Sequence, residues 1–295
     1  AMMKDEGFTT NNERVDGHKI RARSDSFVDH YSQAKMFLNS QSAPEKTHLQ
    51  NALVFELSKV TILEIRERVV GQLAFIDAEL AANVAEKVGV KVKKLDMPNG
   101  SIPADADPAS LQSQEREPET KSSEALSMKN TVKNTIESRV IGFMMGDGVN
   151  TQAVKSLKSK LESEGSIVQI IAPTVAPVKA DDGSKFEPKH SISSVASVSF
   201  DALYICSGEK SAKELMHPER KPIVTEFINE AYKHCKAIYF GKDTDEIYKA
   251  TVVSAKKHED PAIISTSGND SDEKFISAIA KHRVWDLEKE RNSMA

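Results

Sequence analysis

Val140-Ile141-Gly142-Phe143-Met144-Met145-Gly146-Asp147-Gly148-Val149 is the stretch on which the fold turns. It is a continuous apolar run that stops at a Gly-Asp-Gly turn. An unbroken run of this length suits a strand buried on both faces of a parallel sheet. Downstream, Val154, Leu157 and Leu161 recur at helical spacing, and Gly165 stands just past their end. The rhythm of strand, loop and helix then repeats. Further strand candidates are residues 167–171, 202–206, 237–240 and 262–264. A helix with Ile223, Val224, Phe227, Ile228 and Ala231 inward lies among them, as does one with Phe275, Ile276 and Ile279. Alternating units of this kind predict a three-layer α/β domain with a parallel sheet, over residues 138–295. Asp181-Asp182-Gly183, between extended stretches 175–179 and 185–188, predicts a hairpin inserted in the series.

The turns carry the candidate chemistry. Gly146-Asp147-Gly148 joins a strand to a helix and invites a phosphate-loop reading. It is neither GxGxxG nor GxxxxGK[ST], and a tight Asp-Gly turn explains it without a ligand. Ser207-Gly208-Glu209-Lys210-Ser211 ends in the Gly-x-Lys-Ser order but lacks the upstream glycine of a P-loop. Cys206 ends a strand near where open α/β sheets bind ligands. It is either a relocated thiol nucleophile or redox sensor, or a small buried hydrophobe, and no His nearby in sequence favours the first. Cys235 is read as packing. The two cysteines form no disulfide framework or metal-ligand spacing. His190, His217, His234, His258 and His282 show no metal pattern. Trp285 is expected to anchor the last segment.

Upstream the character changes twice. In residues 95–137, Pro98, Pro103, Pro108 and Pro118 alternate with Asp, Ser, Glu and Gln. Such a segment buries too little apolar area to offset chain entropy and is expected to be an extended linker. Residues 21–94 read as helices. Ser42-Ala43-Pro44-Glu45 is a capping box with Pro in the first turn. Leu49, Leu53, Val54 and Leu57 follow at helical spacing. Ile62, Ile65, Val69 and Leu73 form a second apolar face, continued by Ile76, Leu80, Val84 and Val88, with Gly89 as the stop.

The run Arg21-Ala22-Arg23-Ser24-Asp25-Ser26-Phe27-Val28-Asp29-His30-Tyr31, continuing through Phe55-Glu56-Leu57-Ser58-Lys59-Val60 and Ile65-Arg66-Glu67-Arg68, resembles the C-terminal helical region of haem catalases. Residues 1–20 would be its lead-in; His18 and His30 fall within the resemblance as structural residues. An α/β domain behind such helices is what the large-subunit members carry. The resemblance implies a flavodoxin-like fold, similar to class-I glutamine amidotransferases and to a related peptidase and chaperone superfamily. Residues 142–149, 200–208 and 236–241 carry this second likeness. Active relatives place a reactive Cys on the turn after the strand that ends here at Phe240. This chain has Tyr239-Phe240-Gly241-Lys242, and the loop after its first strand offers only Asp147 as an acid. Amidotransferase, peptidase or deglycase activity is therefore not implied. The family's distal His, distal Asn and iron-ligating Tyr lie on an upstream barrel, so no cofactor is expected in this chain and haem is expected in the parent protein.

Bulk properties narrow the partners. The 295 residues are 39% hydrophobic and 28% charged, with a net charge of −4. That is the composition of a soluble globular protein. It argues against a nucleic-acid partner, which needs clustered Lys and Arg; Lys91-Val92-Lys93-Lys94 and Lys256-Lys257-His258 are short and flanked by acids. No stretch approaches the roughly 20 apolar residues that span a bilayer. Ala1-Met2-Met3-Lys4 lacks a signal-peptide core and reads as an expression scar on an internal start, leaving the compartment open. The expected partners are the rest of a catalase subunit and its tetramer, with unfolded client proteins. Two functions follow. One is a stabilising, chaperone-like module that is inactive alone. The other is a cryptic enzymatic or small-molecule site at the carboxyl ends of the strands, drawn from Asp147, Cys206, Ser207, Phe240 and Gly241.

Overall fold

The computed structural model describes residue 10 and residues 12–17, 25–93, 95, 116–130, 134–255, 259–265 and 270–294. The readings of Ala1 to Lys4, His18, Arg21 to Ser24, the three prolines Pro98, Pro103 and Pro108, and Lys256 to His258 lie outside them. The chain divides into two compact units, Ala1–Ser127 and Met128–Ala295.

The first unit holds helices α1 (Ser32–Asn39), α2 (Ala43–Ser58), α3 (Leu63–Leu73) and α4 (Ala78–Val88). The capping box forms as read: Ser42 N–H donates to the Glu45 carboxylate at 2.8 Å, with Pro44 in the first turn. That leaves one fewer orphan amide at the start of α2. Asp77 caps α4 by accepting from Leu80 N at 2.7 Å, and Gly89 ends it at φ 73, where a Cβ would be strained. Leu38, Leu57, Val70, Leu80, Val84 and Val88 form the core. Ile62 departs from its expected face: it precedes the first turn of α3 and is 54% exposed. Residues 116–127 run alongside α1 and the start of α2. Lys35 pairs with Glu117 at 2.9 Å, Ser123 N–H donates to Ser40 Oγ at 2.9 Å, and Ser127 Oγ donates to the Glu45 carboxylate at 2.8 Å.

The second unit is a three-layer α/β domain. Its strands are β1 (Val140–Met144), β2 (Ile167–Ala172), β3 (Val178–Lys179), β4 (Lys185–Phe186), β5 (His190–Ser191), β6 (Ala202–Ile205), β7 (Ala237–Phe240) and β8 (Ile263–Ser265). Six of them make one parallel sheet in the order β5-β2-β1-β6-β7-β8. The predicted hairpin is there as β3 and β4, paired antiparallel through Val178↔Phe186.

Side chains alternate between two buried faces, as the pleat requires. Phe143, Tyr204 and Tyr239 face α5 (Thr151–Ser163) and α9 (Ser271–Ala280). Met144, Leu203 and Ile205 face α6 (Glu209–Leu215), α7 (Lys221–Lys233) and α8 (Asp245–Ala250). At Gly142 a Cβ would lie 2.8 Å from the Ile171 side chain and 2.9 Å from that of Leu203, so any larger residue would have to push those side chains aside.

Charges tie the edges of this domain. At the amino ends of β1 and β6, Val140 N–H donates to Asp201 Oδ2 at 2.9 Å, and His282 Nε2 lies 3.3 Å from Oδ1. The C-terminal helix α10 (Glu288–Met294) carries Arg291, which forks onto both Asp260 oxygens at 2.9 and 2.8 Å. The same guanidinium donates to the Tyr232 and Lys236 carbonyls. Trp285 is half-buried in the 3-10 turn before α10.

Candidate functional site

Chain connections run from β1 to β2 on one side, then return to β6 on the other side of β1. Ligands of open α/β sheets bind at such a switch point, beyond the carboxyl ends of the strands. A cleft of about 990 Å³ lies there, lined by the turns after β1, β6 and β7. Asp147 and Ser207 line it, together with Tyr204, Tyr239, Lys242 and Asp272.

Six amides of the β1–α5 turn point to internal acceptors. Gly146 N–H donates to Ser211 Oγ at 2.8 Å, Asp147 N–H to the Glu214 carboxylate, and Gly148 N–H to the Lys179 carbonyl at 2.6 Å. Asn150 N–H reaches the Ser207 carbonyl at 2.8 Å. Thr151 N–H at the head of α5 donates to Asp181 Oδ1 at 3.0 Å, and Ala153 N–H to Asn150 Oδ1 at 2.8 Å. The Thr151 amide, with the Thr151 and Asn150 side chains, holds the Asp181 carboxyl below its usual range. A phosphate cradle needs such donors free. Here the protein's own oxygens occupy the three amides of Gly146, Asp147 and Gly148, which tie the turn to α6 and to the hairpin.

The other candidates part company. Cys206 is fully buried on the α5/α9 face, where desolvation pushes its thiol well above the ordinary range. A reactive cysteine needs the opposite environment. Burial pushes Cys235 up as well, to about 11. Phe240 is buried on the opposite face, edge-on to Tyr248 with centroids 5.1 Å apart. Gly241 lies under the β6 turn: its N–H donates to the Ile205 carbonyl at 2.9 Å, and a Cβ there would stand 2.5 Å from Ser207 Oγ. Ser207 Oγ accepts from Lys242 N–H at 2.9 Å and shares a hydrogen bond with Tyr204 OH at 3.1 Å. Burial raises the Tyr204 phenol, and its ring packs against Phe143 and Tyr239. A side chain at position 241 would collide with Ser207 Oγ and the Ile205 carbonyl oxygen.

Asp147 and Ser207 thus meet at the cleft, while Cys206 and Phe240 turn away from it. Sequence reading missed Ser211, Glu214 and the capping role of Asp181. Ser211 and Glu214 lie 65 and 67 residues from the amides they receive, a separation no local pattern reports. Asp181 was visible as a hairpin turn but not as a helix cap. Among the described residues no helix is long and apolar enough to cross a membrane.

Two families match parts of the chain. Residues 24–88 match the family described as catalase-related immune-responsive, and residues 137–287 match the C-terminal domain found in long catalases. The chain is 34% identical over 284 residues to catalase HPII of Pseudomonas aeruginosa, covering 96% of this chain and 36% of that protein. It is 33% identical over 292 residues to a catalase of Alkalihalophilus pseudofirmus, covering 97% and 38%. It is 33% identical over 284 residues to catalase-B of Dictyostelium discoideum, covering 96% and 38%. The chain spans little more than a third of the length of these relatives.

Proposed function

Because the chain belongs to the long catalases, whose C-terminal domain matches residues 137–287, we propose that it is the stabilising, chaperone-like C-terminal part of a haem catalase subunit. The subunit's reaction in this reading is disproportionation of hydrogen peroxide to water and oxygen, in a tetramer that this part braces. Among the described residues, the tyrosines and thiols around the cleft do not suit a haem, which needs an apolar slot and an axial Tyr, His or Cys aimed into it. Tyr204 and Tyr239 stack on each other, with Tyr204 bonded to Ser207, and both thiols are buried. We therefore assign the haem and its iron ligands to the rest of the subunit.

Strand order supports the flavodoxin-like label. Leaving aside the two-residue edge strand β5, the sheet strands in chain order occupy positions 2-1-3-4-5. With the turn after β7 unable to hold a nucleophile, that fold serves here without hydrolytic chemistry.

The observation that carries the chaperone-like role is apolar surface on the helical unit. Phe55 is 63% exposed, Ile62 54%, Leu63 49% and Phe37 43%. We read these side chains, held in water, as a surface for another polypeptide. In a full subunit it would rest on the remaining chain, and in isolation it would hold partly unfolded clients. The test is light scattering of a heat-labile enzyme warmed with this chain or with an equal mass of inert protein. Suppressed aggregation at near-stoichiometric ratios, lost in the variant F55S/I62S/L63S, supports the role. Unchanged scattering refutes it and leaves bracing alone.

A further inference from the structure

We propose that the amino ends of β1, β6 and β7 hold a small inorganic oxyanion, of the size and charge of sulfate or phosphate, beside Lys236 and Arg283. Basic groups converge there on one carboxylate. Asp201 Oδ1 lies 3.3 Å from His282 Nε2, 3.7 Å from Arg283 Nη2 and 3.9 Å from Arg139 Nη1. The two guanidinium distances are too long for hydrogen bonds. Asp201 Oδ2 accepts from Val140 N–H. Arg283 Nη1 donates to the Asp201 and His282 carbonyls, at 3.2 and 2.8 Å.

Lys236 adds a cation from the first position before β7. It is 2% exposed, and its ammonium donates to the Ser197 carbonyl at 2.5 Å. Among the described residues no carboxylate pairs with it. Burial, with the Arg283 charge beside it, pushes the ammonium down to about 8, and Asp201 is the acid that acts against this. Arg283 is in the same position. Burial and the Arg139 charge act against its guanidinium, and Asp201 is the carboxylate that supports it. Two buried cations therefore share one carboxylate, which Arg139 approaches as well. An exposed lysine loses nothing by standing alone, because water solvates it. A buried cation short of counter-charge costs free energy, and a bound anion removes that cost. His282 gives a second, independent sign. Its Nδ1 is buried and has no hydrogen-bond partner among the described residues. Protonated, His282 donates from Nε2 to Asp201 and offers Nδ1 to the anion. Arg139 and Asp201 are the open members of the cluster, with side chains 21% and 23% exposed. That opening suits a small ion. The site is at the opposite end of the sheet from the cleft and is independent of the bracing and chaperone-like role.

The test is titration calorimetry of the 295-residue chain at fixed ionic strength, with sulfate, phosphate and chloride in separate arms. The expected result is saturable one-to-one binding of at least one oxyanion, weakened about tenfold or more in K236M and in R283Q. Chloride gives heats of dilution alone. A control variant, K179A/K242A, removes exposed charge at the other end of the sheet and is expected to bind as the parent does. Emission of Trp285 and a cooperative urea transition establish that each variant is folded. Absence of saturable oxyanion binding by the parent overturns the proposal. So does parent-like binding by either folded variant, K236M or R283Q. Equal weakening in K179A/K242A overturns it too, since that would mean diffuse attraction without a site.

Discussion

Replacing Gly241 by any other residue puts a Cβ 2.5 Å from Ser207 Oγ and 2.8 Å from the Ile205 carbonyl oxygen. The second obstacle is backbone and cannot rotate away. G241C should therefore cost about 1–3 kcal/mol, read as a lowered urea midpoint. Adding S207A should restore only part of it; full recovery would show that the hydroxyl alone closes the turn. At the other end of the sheet, burial acts to raise the Asp201 carboxyl. Hydrogen bonds from His282 and the Val140 amide, with Arg283 and Arg139, outweigh it and hold the group at about 2, against an ordinary 3.8. A folded value below the unfolded one gives stability that is complete above pH ~4 and is lost as pH falls toward ~2, worth about 2 kcal/mol. Urea midpoints of the parent should fall more steeply than those of D201N across that window. Parallel curves would remove Asp201 as the cause. Little of this was visible in sequence. Asp147 and Ser207 could be placed at the cleft from their turns, yet the residues that close its amides come from α6 and the hairpin.

At the level of elements, long buried strands announced themselves, since β1, β6 and β7 are solid apolar runs with both faces covered. The edge strand β5 did not: His190–Ser191 is two half-buried polar residues whose pairing is set by β2. The end of the chain was equally silent. In sequence α10 is a short charged stretch with no apolar face, and its Arg291 ties it to the α/β domain. Arg291 and Asp260 are both 0% exposed and 31 residues apart. Removing one partner leaves a buried charge unpaired, which costs about 3–5 kcal/mol. R291M should lower the unfolding free energy by that amount and expose the amides of α10 to rapid hydrogen exchange. R291M/D260L should recover part of the loss: it removes the unpaired carboxylate, but the Tyr232 and Lys236 carbonyls and the Ala262 amide lose the partners they had. If the double variant is no better than R291M, the ion pair itself is the stabilising element.

Across the whole molecule, stability is unevenly shared. The helical unit closes on one small cluster around Val70 and Val84 while Phe55 and Ile62 stand in water. The α/β unit has two larger clusters, one on each face of a parallel sheet. Apolar burial sets most of the resistance to unfolding, so the two units should not melt together. Trp285, the sole tryptophan, sits in the α/β unit and reports on it alone, whereas far-ultraviolet circular dichroism sums helices from both. In a urea titration the dichroism should therefore begin to fall at lower concentration than the tryptophan emission shifts. Two separated probes mean two cooperative units. Coincident curves would mean that the helices draw their stability from the α/β domain. The order of events bears on the chaperone-like role as well. If the helical unit opens first, warming enlarges its apolar surface while the α/β domain keeps the chain folded. Client capture should then rise with the first transition and collapse with the second, and a holdase activity that tracked the second transition alone would place the client surface on the α/β domain instead.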